Sequence, residues 1–286
     1  MRISRNPALL ALVLGMALVL AVPEQSYAGK KSGGPVQIGQ DVNKKSKSGD
    51  KDGRFPIVIS EPGSYVLITN LDLRPAPEAE VAPDLTISAI EITADHVTLD
   101  LGGFSIIGPV TCAGSPVTSC DPAAEENPGS GVDACPMGFC ARHTTVTNGA
   151  VHGMPGAGLK LGDGAHVEKV TAGENGADGI GAGANAVVTH CMAERNGSNG
   201  VTVGNNSQVT GNTATGNGAR GISVGDGCKV LGNVSSGNED GLFMGNNTGF
   251  GDNILTGNSN SELKVAPLSE AFELGQNVCG NSINCP

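Results

Sequence analysis

Between about Val146 and Asn258 the apolar and polar positions of the chain repeat with a period of 21 residues. Aligning Ala165–Gly183, Ala186–Gly204, Ser207–Gly225 and Cys228–Gly245 brings like residues into columns. Val167, Val188, Val209 and Val230 form one column, and Asn175, Asn196, Asn217 and Asn238 form another. Gly179, Gly200, Gly221 and Gly241 form a third, each followed by an apolar residue (Ile180, Val201, Ile222, Leu242). A fixed period of this length signals stacked coils, each burying its apolar face against its neighbours. Within a coil, apolar or small residues alternate with polar ones, as a strand requires. Gly and Asn punctuate the strands where turns need positive φ. The pattern predicts an all-β solenoid of about 21-residue coils. Some seven or eight rungs at ~4.8 Å would make a rod roughly 35 Å long.

The pattern extends beyond the strict repeat. Ile90 and Ile92 supply an earlier rung, while Ile87 falls out of phase, so a bend near Ser88 is expected. Asp95 to Gly108 reads as a complete rung, and residues 109–142 as a Cys-rich insertion. Phe55 to Leu73 is read as the first strands and a cap, and residues 261–286 as the opposite cap, because terminal repeats must cover open edges. The asparagines Asn212, Asn233 and Asn253 share a column with Cys191 and Val170, and stacked amides there can bond to the rungs above and below. Two of the ladder residues also read as glycosylation sequons (Asn196-Gly-Ser, Asn233-Val-Ser), but an inward Asn cannot carry a glycan.

The N-terminus is a different substance. Arg2 and Arg5 precede an apolar run from Ala8 to Val22, and Ser26-Tyr27-Ala28 offers small residues for cleavage. Residues 1–28 therefore read as a signal peptide cleaved after Ala28, with no transmembrane segment left in the mature chain. Residues 29–54 are Lys, Ser, Gly and Asp with little to bury, and read as a flexible polar linker. The folded domain, 55–286, holds eight Lys and Arg against 24 Asp and Glu, a net of −16. Clustered basic residues are what nucleic acid needs, so nucleic acid is excluded as a partner. Polyanionic glycans are disfavoured unless cations intervene.

Eight cysteines in an exported chain suggest disulfides. Cys279 and Cys285 are close enough to pair, while Cys112, Cys120, Cys135 and Cys140 allow three pairings among themselves. Cys191 and Cys228 sit in inward columns at non-equivalent positions and read as buried free thiols. There is no CxxC, and a zinc site is not expected.

Asp95 to Gly108, the Asn-ladder coils and the ending Asn277-Val-Cys-Gly-Asn-Ser-Ile-Asn-Cys-Pro286 resemble exported bacterial right-handed parallel β-helix repeat proteins of the pectin-lyase-like superfamily. The resemblance covers about 55–286 and implies a right-handed parallel β-helix. Its members include polysaccharide lyases, hydrolases, epimerases and adhesin-like rods, so it implies fold more than activity.

Candidate chemistry lies in the turn before the Gly-apolar strand. Glu174 and Arg195 are equivalent on adjacent rungs, as are Asp178, Asn199, Arg220 and Asp240, with Glu194 and Glu239 beside them. This predicts an exposed ridge of mixed charge. Read functionally, Arg195, Arg220, Glu174, Asp178 and Asp240 are catalytic candidates, and Glu174, Asp178 and Glu194 are candidates for Ca²⁺. Read structurally, Glu174 pairs with Arg195 and Arg220 with Asp240 on the surface, worth little. His96, His143, His152, His166 and His190 read as scattered over different columns. The polygalacturonase motif set and a lyase-type Arg motif are absent, and there is no Trp and only eight Phe and Tyr. The expectation is a non-catalytic surface or periplasmic rod binding a polysaccharide, a cell-surface glycan or another partner. The alternative is a carbohydrate-active enzyme, lyase or epimerase, acting on a uronate-containing glycan. No organic cofactor is implied.

Overall fold

Three left-handed corners per coil turn the chain back onto itself. In one coil these are Asn185 (φ 57°), His190 (53°) and Arg195 (53°); in the next they are Asn206 (58°), Gly211 (68°) and Gly216 (65°). Positive φ is uncommon for residues with a Cβ, which is why Gly and Asn recur at these columns. Between corners lie short strands, such as Val187–Thr189, Met192–Glu194 and Val201–Val203. A computed structural model describes residues 34–40, 55–75, 82–124, 126–267, 269–280 and 285. The expected signal peptide lies outside these residues.

Equivalent strands stack in parallel and in register: Val188 pairs with Val167 and Val209, and Ala193 with Ala172 and Ala214. One face of the rod is a nine-stranded sheet running from Ile57–Ile59 to Ser261–Val265. The rest is a 17-stranded sheet. It bends along its length, because the long strands Thr145–His152 and His166–Gly173 carry left-handed residues, Asn148 and Lys169, in mid-course. Nine rungs exceed the expected seven or eight because both caps join the stack. The segment expected to cap the C-terminal end forms Ser261–Val265, Ala271–Glu273 and Val278–Cys279, each paired in parallel to the preceding coil.

The core is a narrow apolar column. Val167, Val188, Val209, Val230, Ile180, Val201, Ile222 and Leu242 are all fully buried. Two inward ladders run beside them. Asn196 Nδ2 donates to Asn217 Oδ1 (2.9 Å) and to the Ala172 carbonyl (3.1 Å), while its oxygen accepts from Asn175 Nδ2 (2.9 Å) and Asn175 N (3.2 Å). The same arrangement recurs from Asn217 to Asn238 and Asn258. The second ladder runs Asn212, Asn233, Asn253, Asn277, with Cys191 N donating to Asn212 at its start. Each amide thus satisfies backbone groups that a corner would otherwise strand away from water. Asn196 and Asn233 are at most 1% exposed, which removes both sequons from the surface.

Three expectations need correction. The linker is not wholly outside the fold: Val36–Ile38 is a strand paired in parallel to Tyr65–Leu67, with Ile38 buried, because Val36 and Ile38 keep the period-2 spacing that the surrounding polar composition hides. The Cys-rich insertion is not one excursion but two. Thr111–Gly114 and Val117–Asp121 form an antiparallel hairpin closed by Cys112–Cys120, then Val132–Asp133 returns to the nine-stranded sheet, and a second short loop is closed by Cys135–Cys140. The histidines are not all in separate columns: His96 and His143 occupy the same left-handed corner of neighbouring rungs and stack, ring centroids 4.9 Å apart. The excursion between them had broken the spacing that would have aligned them. Cys279 pairs with Cys285, and Cys191 and Cys228 are free and buried.

Candidate functional site

The predicted ridge divides into two places. Glu174 and Arg195 occupy a left-handed corner that is Gly153, Gly216, Gly237 and Gly257 in other coils. Their conformation is unusual for side chains with a Cβ, and a specific contact accompanies it. Arg195 Nε donates to Glu174 Oε1 (3.2 Å) and Arg195 Nη2 to the Cys112 carbonyl (2.6 Å), while Val117 N donates to the Gly216 carbonyl (3.0 Å). Arg195 therefore ties the disulfide hairpin onto the corner. A hollow of ≈360 Å³ between the hairpin arm and the turns is lined by Pro122, Pro128, Pro155, Gly176 and their neighbours, with no titratable side chain among the described residues. Glu194 ends a strand of the bent sheet.

The other half of the ridge borders the nine-stranded sheet. Asp178 Oδ1 accepts from Asn199 N (3.0 Å) and Nδ2 (3.1 Å), and Asn199 Oδ1 accepts from Arg220 N (3.1 Å). The expected Arg220–Asp240 pair is not formed, although the two are in register. Asp240 is nearly buried and accepts from Asn260 Nδ2 (2.7 Å) and Lys264 Nζ (3.4 Å). The Arg220 guanidinium instead lies 3.7 Å above the Phe243 ring and donates to Ser223 Oγ (3.2 Å). An aromatic face one rung along offers a cation–π contact, and Lys264 one rung further satisfies Asp240. Glu174, Asp178 and Glu194 do not gather as a calcium site: among the described residues no three His, Cys, Asp or Glu side chains converge on a common point.

The nine-stranded sheet also carries a set the repeat did not reveal. Its outward column reads Glu91, Asp133, Lys160, Gly181, Thr202, Ser223, Phe243, Lys264 on successive rungs. Asp133 is 8% exposed; its Oδ1 accepts from Cys135 N (2.7 Å) and its Oδ2 from Lys160 Nζ (3.1 Å). Lys160 Nζ also donates to the Cys135 carbonyl (3.3 Å). This pair fixes the base of the Cys135–Cys140 loop, on which Met137 is 100% and Phe139 55% exposed. Glu91 is half-buried and has no hydrogen-bond or ion-pair partner among the described residues. Partial burial raises its carboxyl above the usual range, the Asp133 charge adds to the rise, and Lys160 opposes it. Past Lys160 the floor drops to Gly181, Thr202 and Ser223 before Phe243 with Arg220 upon it.

Sequence alignment missed Glu91, Asp133 and Lys160 because they are 42 and 27 residues apart, not 21. The signal was present in the triplets Ile90-Glu91-Ile92, Val132-Asp133-Ala134 and Leu159-Lys160-Leu161. They share the apolar-outward-apolar form of Val201-Thr202-Val203 and Ile222-Ser223-Val224.

Residues 138–277 match the family described as right handed beta helix region. The stacked parallel coils are thus a right-handed parallel β-helix. Among curated proteins none matches it in sequence. Among solved structures, this β-helix is similar to the A-module of mannuronan C-5 epimerase AlgE4 from Azotobacter vinelandii, at 15% identity and TM-score 0.47, over 85% of this chain and 66% of that one. The Dettilon tailspike protein gp208 is similar at 15% identity and TM-score 0.44, over 78% of this chain and 53% of that one. XylC, solved with xylose, is similar at 8% identity and TM-score 0.44, over 70% of this chain and 41% of that one. The chain thus spans less than two thirds of the length of each, and at these identities the likeness concerns the fold alone. Among the described residues no helix is long and apolar enough to cross a membrane.

Proposed function

We propose that this β-helix is an exported, non-catalytic glycan-binding rod that receives an extended glycan on the outer face of its nine-stranded sheet. The observation that carries the reading is the outward column of that sheet. Gly181, Thr202 and Ser223 form a low floor on three successive rungs. Hydrogen-bonding and apolar groups stand at either end of the floor: Lys160, Asp133 and Phe139 at one, Arg220 and Phe243 at the other. Successive rungs at ~4.8 Å approximate the advance of a sugar chain lying along the axis, so one ligand can touch several rungs at once. The residues expected to do chemistry on the ridge are instead engaged within the fold, Arg195 with the hairpin and Asp240 with Asn260 and Lys264. Three disulfides suit an oxidising compartment, which agrees with export by the N-terminal signal.

The test is calorimetric binding of the mature chain to a panel of neutral, amine-bearing and uronate oligosaccharides, with Gly181→Trp beside it. A Cβ at Gly181 meets nothing closer than the Leu159 carbonyl at 3.5 Å, so the variant should fold while filling the floor. Binding by the parent and its loss in Gly181→Trp is the expected result. Equal binding by both sinks the assignment to this face.

One observation favours a second reading, a carbohydrate-active enzyme. A carboxyl raised by burial and by a neighbouring carboxylate, as Glu91 is by Asp133, is what a general acid needs. Mass spectrometry of the same panel after incubation, with and without Ca²⁺, decides between them. Unsaturated, epimerised or shortened products establish the enzyme, and unchanged glycans with measurable binding establish the rod.

A further inference from the structure

Resting on the proposed glycan-binding face, we infer that its ligand is an amine-bearing glycan, with an unacetylated amino sugar seated at Glu91, rather than a uronate. The Glu91 carboxylate stands on a rigid strand between two fully buried isoleucines and has no partner among the described residues. Lys160, the cation two rungs along the same column, is committed to Asp133 and to the Cys135 carbonyl. The site therefore holds two carboxylates and one ammonium, one positive charge short of balance. A half-buried carboxylate beside another carboxylate is destabilised, and a ligand that supplies the cation relieves it. A uronate brought to the same place adds a third negative charge to a domain of net −16, and like-charge juxtaposition opposes binding. Met137 and Phe139, fully and half exposed on the loop anchored by Asp133, the residue next to Glu91 in the column, offer apolar surface to a sugar ring. The closing of that loop by Cys135–Cys140 holds the two parts in one arrangement before a ligand arrives.

The experiment compares fully deacetylated chitohexaose, its N-acetylated counterpart and hexagalacturonate by calorimetry, at low and at 0.5 M salt. A charge-assisted contact at Glu91 predicts the deacetylated hexamer to bind about tenfold tighter than the acetylated one, with the preference shrinking in high salt. Glu91→Gln should bring the two to the same affinity and leave the thermal midpoint at or above that of the parent. Lys160→Met acts in the opposite direction: it removes the ammonium from Asp133, leaving it only the Cys135 N–H, and should tighten the amine further. Equal affinity for the amine and acetyl forms in the parent, or preference for hexagalacturonate, overturns the inference while leaving the binding face standing. A preference that survives Glu91→Gln overturns the place of the amine. Failure of all three probes to bind the parent overturns both this inference and the face on which it rests.

Discussion

The coils from Ala165 to Asn258 and the stretch from Ile90 to Arg142 are built on one plan but use their polar side chains differently. In the regular coils each corner Asn is answered by its copy one rung away, so Asn196 bonds Asn175 and Asn217, and Asn233 bonds Asn212 and Asn253. Polarity there is consumed in satisfying the backbone, and little is left over. In the earlier stretch two disulfide-closed excursions interrupt the period. The residues that then come into register, Glu91, Asp133 and Lys160, are unlike one another, and Glu91 has no partner among the described residues. Repetition makes the rod, and the interruption of repetition brings unlike side chains into one column.

The sharpest way to break that comparison is to remove a ladder residue. Asn217→Ala strands Asn196 N and Nδ2 and the Ala193 carbonyl, all buried, and should cost about 3–5 kcal/mol. Urea unfolding reads this, and a cost under ~1 kcal/mol would mean that the ladder is ornament to the valine core. Next in size is a glycine contrast. A Cβ at Gly200 would lie 2.6 Å from the Gly221 carbonyl and 2.7 Å from Asn217 Nδ2, so Gly200→Ala should cost about 2–3 kcal/mol. Gly181→Ala, on the open floor, should stay within about 0.5 kcal/mol of the parent.

Cutting the excursion should leave the rod intact. Replacing Cys112 and Cys120 together by Ala removes a bridge closing a loop that carries about 2–3 kcal/mol of chain entropy, but only for the hairpin. Limited proteolysis near Ser115 should accelerate several-fold while the thermal midpoint of the coils stays put; a joint collapse would show hairpin and rod to be one cooperative unit. Arg195 tests the seam between them. Arg195→Gly restores the residue found at this corner in other coils and should change stability by under about 1 kcal/mol, whereas Arg195→Ala keeps the strained φ and loses the ties, and should be the worse of the two.

The smallest effect is alkaline. Burial pushes the Cys191 thiol up to about 11. For an acid whose folded pKa is raised, the unfolded chain releases the proton first, so stability is unaffected below the unfolded value and falls as pH rises toward the folded one. The thermal midpoint of the parent should therefore decline faster between about pH 9 and 11 than that of Cys191→Ala. Parallel declines would show that Cys191 ionises freely in the folded protein.

The period of 21 residues was readable because a stacked strand forces its neighbour to present the same residue type at the same height. Val188 cannot pair with Val209 in register unless the intervening chain has constant length. Corner asparagines and glycines were readable for the same reason. The sequence by itself determined the coil, its inward face, its ladders and, among the candidate ridge charges, only the pairing of Glu174 with Arg195. Tertiary structure decided the rest. Arg220 turned to Phe243 instead of Asp240 because both lie on the neighbouring strand, the ring face is open to a diagonal reach, and Asp240 is held by Asn260 and Lys264. Glu91, Asp133 and Lys160 met because the hairpin before Asp133 and the Cys135–Cys140 loop after it fold outside the stack, so their separation along the chain says nothing of the one-rung steps between them. Backbone register is a local and repeated constraint, legible in one dimension. Which side chains share a surface depends on how much chain leaves the coil and where it returns, and that is settled only when the whole stack has formed.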